Sequence, residues 1–147
     1  MNLCHTVGQR SLPFIVVLAL LLSVSSCKET DKRELAEQGV AQFRAQANSE
    51  QYHAIYTGAD EKFRSGSNEA AFVALMQLVH RKLGTIQQSE LKSYQIGWFA
   101  GEGSVVTLFY KTQFANGAAA EEFIWHLKDS QSILVGYFIK SDVLTAK

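Results

Sequence analysis

After Gly84 the hydrophobic pattern of this chain takes a period of two and keeps it almost to the end. Val106, Leu108, Tyr110 and Phe114 fall on one side of the run from Ser104 to Phe114, with Val105, Thr107, Phe109 and Lys111 on the other. Phe123, Trp125 and Leu127 alternate against Ile124 and His126, and Ile133, Val135, Tyr137 and Ile139 against Leu134 and Phe138. Ser93-Tyr94-Gln95-Ile96 opens an earlier run. Alternation of this kind is the mark of β-strands, whose side chains point to opposite faces in turn. Gly101-Glu102-Gly103, Asn116-Gly117 and Asp129-Ser130-Gln131 join the runs, and none is long enough for a parallel crossover. Asn116-Gly117 predicts a type I′ turn with positive φ at both positions. The expectation is an antiparallel meander of four strands.

Ahead of Gly84 the period is helical. Tyr52, Ile55, Tyr56 and Ala59 stand at i, i+3, i+4 and i+7. Asn68 is placed to cap a helix over EAAFVALMQLVHRKL, with Arg81 and Lys82 in its last turn and Gly84 just beyond it. Phe72, Leu75, Met76, Val79 and Leu83 form the buried face of that helix. Leu35, Ala36, Val40, Phe43 and Ala47 lie more loosely along an earlier helical face, behind the charged lead KETDKRELAEQ. Helices first and strands after read as an α+β fold, with N-terminal helices packed on a curved four-stranded antiparallel sheet. No linker or repeat divides residues 35–147, which form a single domain.

The N-terminus has a different character. Arg10 precedes an unbroken apolar run from Leu12 to Leu22, eleven residues long. A helix of that length rises ~16 Å, about half of a bilayer's hydrocarbon thickness, so it suits a secretory signal better than a membrane span. Val24-Ser25-Ser26-Cys27 then resembles the lipobox of bacterial lipoproteins. That resemblance implies a signal peptide over residues 1–26, cleavage between Ser26 and Cys27, and acylation of Cys27, with residues 27–34 as the lipidated cysteine and a short tether. Two or three acyl chains hold a protein stably on a bilayer where one does not. The expected location is the bacterial envelope, facing the periplasm. Lys28 after the cysteine, in place of the aspartate that marks inner-membrane retention, favours the outer membrane of a double-membraned cell.

Charge and cysteine content narrow the function. Lys plus Arg and Asp plus Glu both number 14, and removing residues 1–26 takes away Arg10 alone, leaving 13 − 14 = −1. A near-neutral domain lacks the basic face that binding to phosphate backbones needs, so nucleic acid is not an expected partner. Cys4 and Cys27 are the two cysteines, and neither falls in the domain. Disulfides, thiolate metal sites and a cysteine nucleophile are thereby excluded there.

The pattern YHAIYTGADEKFR followed by VTLFYKTQFANGAAAEEFIWHL and LVGYFI is similar to small bacterial lipoproteins that carry an uncharacterised domain. That domain is of the cystatin-like and nuclear-transport-factor-2-like type. The resemblance covers about Leu35 to Leu144 and implies a cone-shaped sheet wrapped by helices, but no reaction. Folds of this kind host acid–base enzymes with Asp, His or Tyr inside the cone. The candidates here are Tyr56, Asp60, His80, Tyr94, Tyr110, His126 and Tyr137.

No catalytic signature accompanies those candidates. The histidines lack ligand spacing, GxSxG is absent, and no catalytic residue, metal site or cofactor is expected. His126 shares a strand side with Glu122 and Lys128, and His80 sits beside Arg81 and Lys82, so both are expected in structural or surface roles. Asp60 can cap a turn as readily as act as a base. The surplus of aromatic residues points elsewhere, to a pocket lined by Tyr56, Phe72, Tyr110, Trp125 and Tyr137. A second apolar face at Phe109, Ile124, Leu134 and Phe138 suggests a homodimer through the sheet. The leading expectation is a membrane-anchored lipoprotein, held to the bilayer by acylated Cys27, whose domain binds a protein partner or small apolar ligand without catalysis. The alternative is an enzyme or ligand sensor that uses the interior of the cone.

Overall fold

Apolar side chains recur every three to four residues along α1 (Val24–Asn48), and the buried set Ala36, Gly39, Val40, Phe43 and Ala47 turns that stripe onto a sheet. A computed structural model describes residues 24–99 and 103–146, with side chains from residue 30 onward. Most of the expected signal peptide, residues 1–23, and residues 100–102 of the expected first turn lie outside the described residues. So does the side chain of Cys27, although its backbone belongs to α1 and residues 27–34 are helical. Among the described residues no helix is long and apolar enough to cross a membrane.

Three further helices precede the sheet: α2 (Tyr52–Gly58), α3 (Glu61–Gly66) and α4 (Glu69–Leu83). Tyr52, Ile55, Tyr56 and Ala59 are all buried, as their spacing predicts. Asp60 caps α3, its Oδ1 accepting from Lys62 N at 2.9 Å. The side chain of Asn68 caps α4 by accepting from Ala71 N at 2.8 Å. Gly84 ends that helix at φ 77°, a left-handed conformation that glycine adopts without strain. The sheet is β1 (Ile86–Phe99), β2 (Gly103–Phe114), β3 (Gly117–Lys128) and β4 (Gln131–Lys140), paired antiparallel in sequence order. A last turn, α5 (Asp142–Thr145), is capped by Ser141. The α+β fold with helices on a four-stranded antiparallel meander is therefore present.

The helices cover one face of the sheet. On that face Val106, Leu108, Tyr110, Thr112 and Phe114 of β2 meet Ala119, Glu121, Phe123 and Trp125 of β3. Phe123 is the hub. Its ring meets Phe43 edge-on at 5.1 Å, lies tilted against Tyr137 at 5.1 Å and stacks on Trp125 at 6.3 Å. A smaller cluster of Val79, Leu83, Phe114 and Ala119 seals the far end under α4 and α5.

Three details differ from the sequence reading. First, β1 begins at Ile86 and not at Ser93. Gln87, Gln88, Ser89 and Glu90 carry no apolar alternation, and pairing to β2 makes them strand. Second, the register of β3 with β4 shifts between Ile124 and Trp125, so Gly136 faces Ile124 while Leu134 faces Trp125. Val135 is the extra residue. This bulge brings Leu134 onto the helix-covered face with Tyr137 and Ile139, instead of opposite them. Third, neither Asn116 nor Gly117 has positive φ; Asp129 and Ser130, at 49° and 60°, form the left-handed two-residue turn. The turn at Ala115-Asn116 is fixed from outside, by Ala115 N donating to Thr85 O and Asn116 N to Leu83 O. Gly117 is required for space, because a Cβ there would lie 2.8 Å from Val143 Cγ2.

Candidate functional site

Two places carry more than packing. The first is inside. Glu121 shares the parity of Phe123 and Trp125 along β3, which commits its carboxylate to the covered face, where its side chain is wholly buried. A buried carboxylate is costly unless it is paired and hydrogen-bonded. Here Oε1 accepts from Tyr137 Oη at 2.8 Å, and Oε2 accepts from Thr112 Oγ1 and from Arg44 Nη2, the latter at 3.3 Å. Arg44 reaches in from α1, donates through Nη1 to Ser89 Oγ at 2.6 Å, and lays its guanidinium over the Tyr110 ring at 4.4 Å. Burial and the neighbouring Glu121 carboxylate push the Tyr137 hydroxyl well above its ordinary value, so it stays protonated and donates. Burial likewise raises Tyr110 and Tyr52.

This interior holds a carboxylate beside a tyrosine, the pairing an acid–base reading looks for, but both oxygens of Glu121 are already taken up by Tyr137, Thr112 and Arg44, and its side chain has no exposure to water. Small cavities of about 10 Å³, beside Tyr52 and Tyr137, and about 80 Å³, beside Gly39 and Trp125, border the core among the described residues, and Tyr110 and Glu121 also border the larger groove described below. Tyr56, Phe72, Tyr110, Trp125 and Tyr137 are all buried. Tyr56 donates to Arg64 O and Ser67 O and packs with Phe63 and Phe72. All five aromatics thus belong to one buried core, Tyr56 and Phe72 on its helical side and Tyr110, Trp125 and Tyr137 on the sheet.

The second place is the face of the sheet that no helix covers. Phe109 of β2, Ala120 and Glu122 of β3 and Phe138 of β4 border a groove of about 670 Å³ there, near the end of the sheet where β4 finishes. Cross-strand pairing sets Phe109 against Glu122 and Glu122 against Phe138, which makes a row of aromatic, carboxylate, aromatic across three strands. Ala118 and Ala120 leave space where larger side chains would fill it. Lys92, Lys111 and Lys140 stand around the rim, with Asp142 beyond. Phe138 is 59% exposed. A volume of this size lies within the range of small-molecule sites. Parity along β2 and β3 identified Phe109 and Ile124 as a second apolar face; Leu134 does not belong to it, because of the bulge.

Two of the other sequence candidates meet, and the rest are dispersed. His126 has the parity of the open face at its opposite end, but it is not on the solvent side that its charged neighbours suggested: its side chain is 15% exposed, with Nδ1 3.7 Å from Oδ2 of Asp60, which is 23% exposed. His80 Nε2 faces Glu50 Oε1 at 3.7 Å, and His53 Nδ1 bonds Glu69 Oε1. Tyr94 is 43% exposed on β1. Among the described residues no group of three His, Cys, Asp or Glu side chains is placed to hold a metal ion. The residues that sequence reasoning missed are Glu121, Arg44, Thr112 and Ser89 inside, and Ala118, Ala120, Glu122 and the lysines of the groove outside.

A family model described as Protein of unknown function (DUF4019) matches residues 40–137, the span that runs from mid-α1 to Tyr137 and includes the whole Arg44–Glu121 cluster. No curated protein matches the chain.

Proposed function

The chain belongs to the DUF4019 family, whose description states no activity, and from the geometry we propose a non-enzymatic bacterial lipoprotein that binds through the open face of its sheet. The signal peptide would be removed at Ser26/Cys27, Cys27 acylated, and the domain held on the periplasmic side of the envelope. The sheet with its wrapping helices is read as cystatin-like or nuclear-transport-factor-2-like in type. What such a domain would bind is a small apolar ligand carrying an acidic group, or an apolar side chain offered by a protein partner. A second copy of the chain is one such partner.

The observation that carries this reading is the contrast between the two faces. On the covered face the buried carboxylate of Glu121 is held by three donors, whereas the open face keeps Phe138 exposed beside a groove of about 670 Å³ whose border takes in Phe109, Ala120 and Glu122 and reaches Tyr110 and Glu121. Lys111 and Lys140 on the rim, with Lys92 paired to Glu90 at 2.6 Å, would hold an anionic group away from Glu122, and Phe109, Phe138 and the two alanines favour an apolar body. Titration with 1-anilinonaphthalene-8-sulfonate, an apolar anion, tests it. Saturable binding is expected, weakened at least tenfold by Phe138→Glu with no change in melting temperature. Equal binding by the variant, or none by the wild type, would refute the groove. The anchor is tested separately by metabolic labelling with a fatty-acid analogue: label is expected on the wild type and absent from Cys27→Ser.

A further inference from the structure

The end of β1 carries Trp98 and Phe99, the first 70% and the second 55% exposed, beside connecting residues 100–102. Neighbouring strand residues point to opposite faces, so the two rings stand on opposite sides of the same ribbon. Trp98, opposite Ser104, has the parity of Ile96 and Tyr94 on the helix side, and Phe99, opposite Gly103, has the parity of the open face. A protein partner stacking on one face of the sheet would cover one ring and leave the other in water. A medium that surrounds the strand end would cover both.

The direction of α1 says which medium. Arg44 bonds Ser89 at 2.6 Å, and Arg33 lies 5.6 Å from the Tyr94 ring. The helix therefore runs back along β1 in step with it. Arg44 to Arg33 is ~16 Å of helix, and Ser89 to Tyr94 is ~16 Å of strand. Continuing the same way, Arg33 to Cys27 adds ~9 Å and Tyr94 to Trp98 adds ~13 Å. Trp98 and Phe99 thus reach the level of Cys27 or a few ångströms past it. Tryptophan is the side chain most at home at a bilayer interface, with its apolar ring in the headgroup layer and its indole N–H hydrated.

We infer that Trp98 and Phe99 dip into the interface of the lipid leaflet in which acylated Cys27 is anchored, which gives the domain a second membrane contact and a fixed orientation. This rests on the lipid-anchor reading of Cys27. Two attachments orient the domain where one would let it swing. The open-face groove, near Lys92 and Phe138, then stands ~20 Å above the bilayer, with its mouth free to the aqueous side.

The chain's two tryptophans make the test clean, because Trp125 is 4% exposed and packed under α1. The full chain is extracted from bacterial membranes and reconstituted into phosphatidylethanolamine–phosphatidylglycerol vesicles, with or without bromine on the acyl chains. Flotation reports anchoring, and tryptophan emission reports depth. Bromine is expected to lower wild-type emission by about half or more, and to leave Trp98→Phe, with the same circular dichroism, unquenched. Flotation without quenching would overturn the second contact and leave the anchor standing. Failure to float would overturn both. Quenching that persists in Trp98→Phe would place Trp125 against lipid and overturn the orientation.

Discussion

Replacing Arg44 by methionine removes the cation from a carboxylate that has no access to water. Glu121 has a side-chain exposure of 0% and Arg44 of 15%, so the pair lies on the buried side of the scale. Breaking a buried pair from one side costs ~3–5 kcal/mol, because the remaining charge is left without a partner. Two features set the loss near the lower bound. Thr112 and Tyr137 still donate to the carboxylate, and methionine keeps most of the apolar contact along the arginine stem. The loss of stacking on Tyr110 adds ~0.5–1 kcal/mol. The expected cost is therefore ~3.5–4 kcal/mol, or a fall in melting temperature of ~15 °C for a domain of this size. Glu121→Gln alone is expected to cost ~2 kcal/mol, since the amide oxygen accepts one donor while its NH₂ faces another. The double variant lacks the orphaned charge, and it should be more stable than the sum of the two losses implies by at least ~1 kcal/mol. Urea unfolding followed by circular dichroism, with unchanged m-values, measures all four proteins. An Arg44→Met variant within ~0.5 kcal/mol of wild type, or strict additivity in the cycle, would refute the reasoning.

Gly39→Ala should destabilise the domain by ~1–2 kcal/mol even though alanine is the better helix former, because its Cβ would meet Ser132 Oγ at 2.5 Å and Trp125 Cζ3 at 3.0 Å; a rise in melting temperature would show that α1 can move off the sheet. Tyr137 binds its proton more tightly in the folded chain than in the unfolded one. Its contribution is thus complete below the ordinary value of 10 and is lost as pH rises above it towards the raised folded value. Tyr52 and Tyr110 act with the same sign. Denaturation at graded pH should show stability falling above pH 10 less steeply in Tyr137→Phe, by up to ~1.4 kcal/mol per pH unit; equal slopes would remove Tyr137 from the account.

Local signals were enough for much of this fold. Asn68 and Gly84 bracket α4 because a cap and a left-handed exit are set by neighbouring residues, and the alternation of Val106, Leu108 and Tyr110 needs nothing beyond β2 to orient it. What could not be read depended on distant partners. Val135 is extra only relative to β3, so the bulge that turns Leu134 inward is a property of the pair of strands. The backbone at Asn116 is held by carbonyls of Leu83 and Thr85, more than 30 residues earlier, and that outweighs the local preference of Asn-Gly. Glu121 did carry a signal, its parity with Phe123 and Trp125, which marks a charge on a buried face and so demands a partner. That the partner is Arg44, 77 residues away, leaves no trace in either neighbourhood. The groove was half legible: Phe109 and Phe138 were placed on the open face, but the space between them comes from Ala118 and Ala120, whose smallness means little without the third dimension.

The most direct test of the binding account is a map of where an apolar anion sits. Backbone amide shifts of the isotopically labelled protein, recorded by nuclear magnetic resonance during titration with 1-anilinonaphthalene-8-sulfonate, give that map residue by residue. The account predicts saturable shifts gathered at Phe109, Lys111, Ala120, Glu122, Phe138 and Lys140, with Arg44, Thr112 and Trp125 unmoved. Shifts centred on Arg44, Thr112 and Trp125, with the open face silent, would contradict it and would show that the interior of the sheet and its helices opens to receive the ligand.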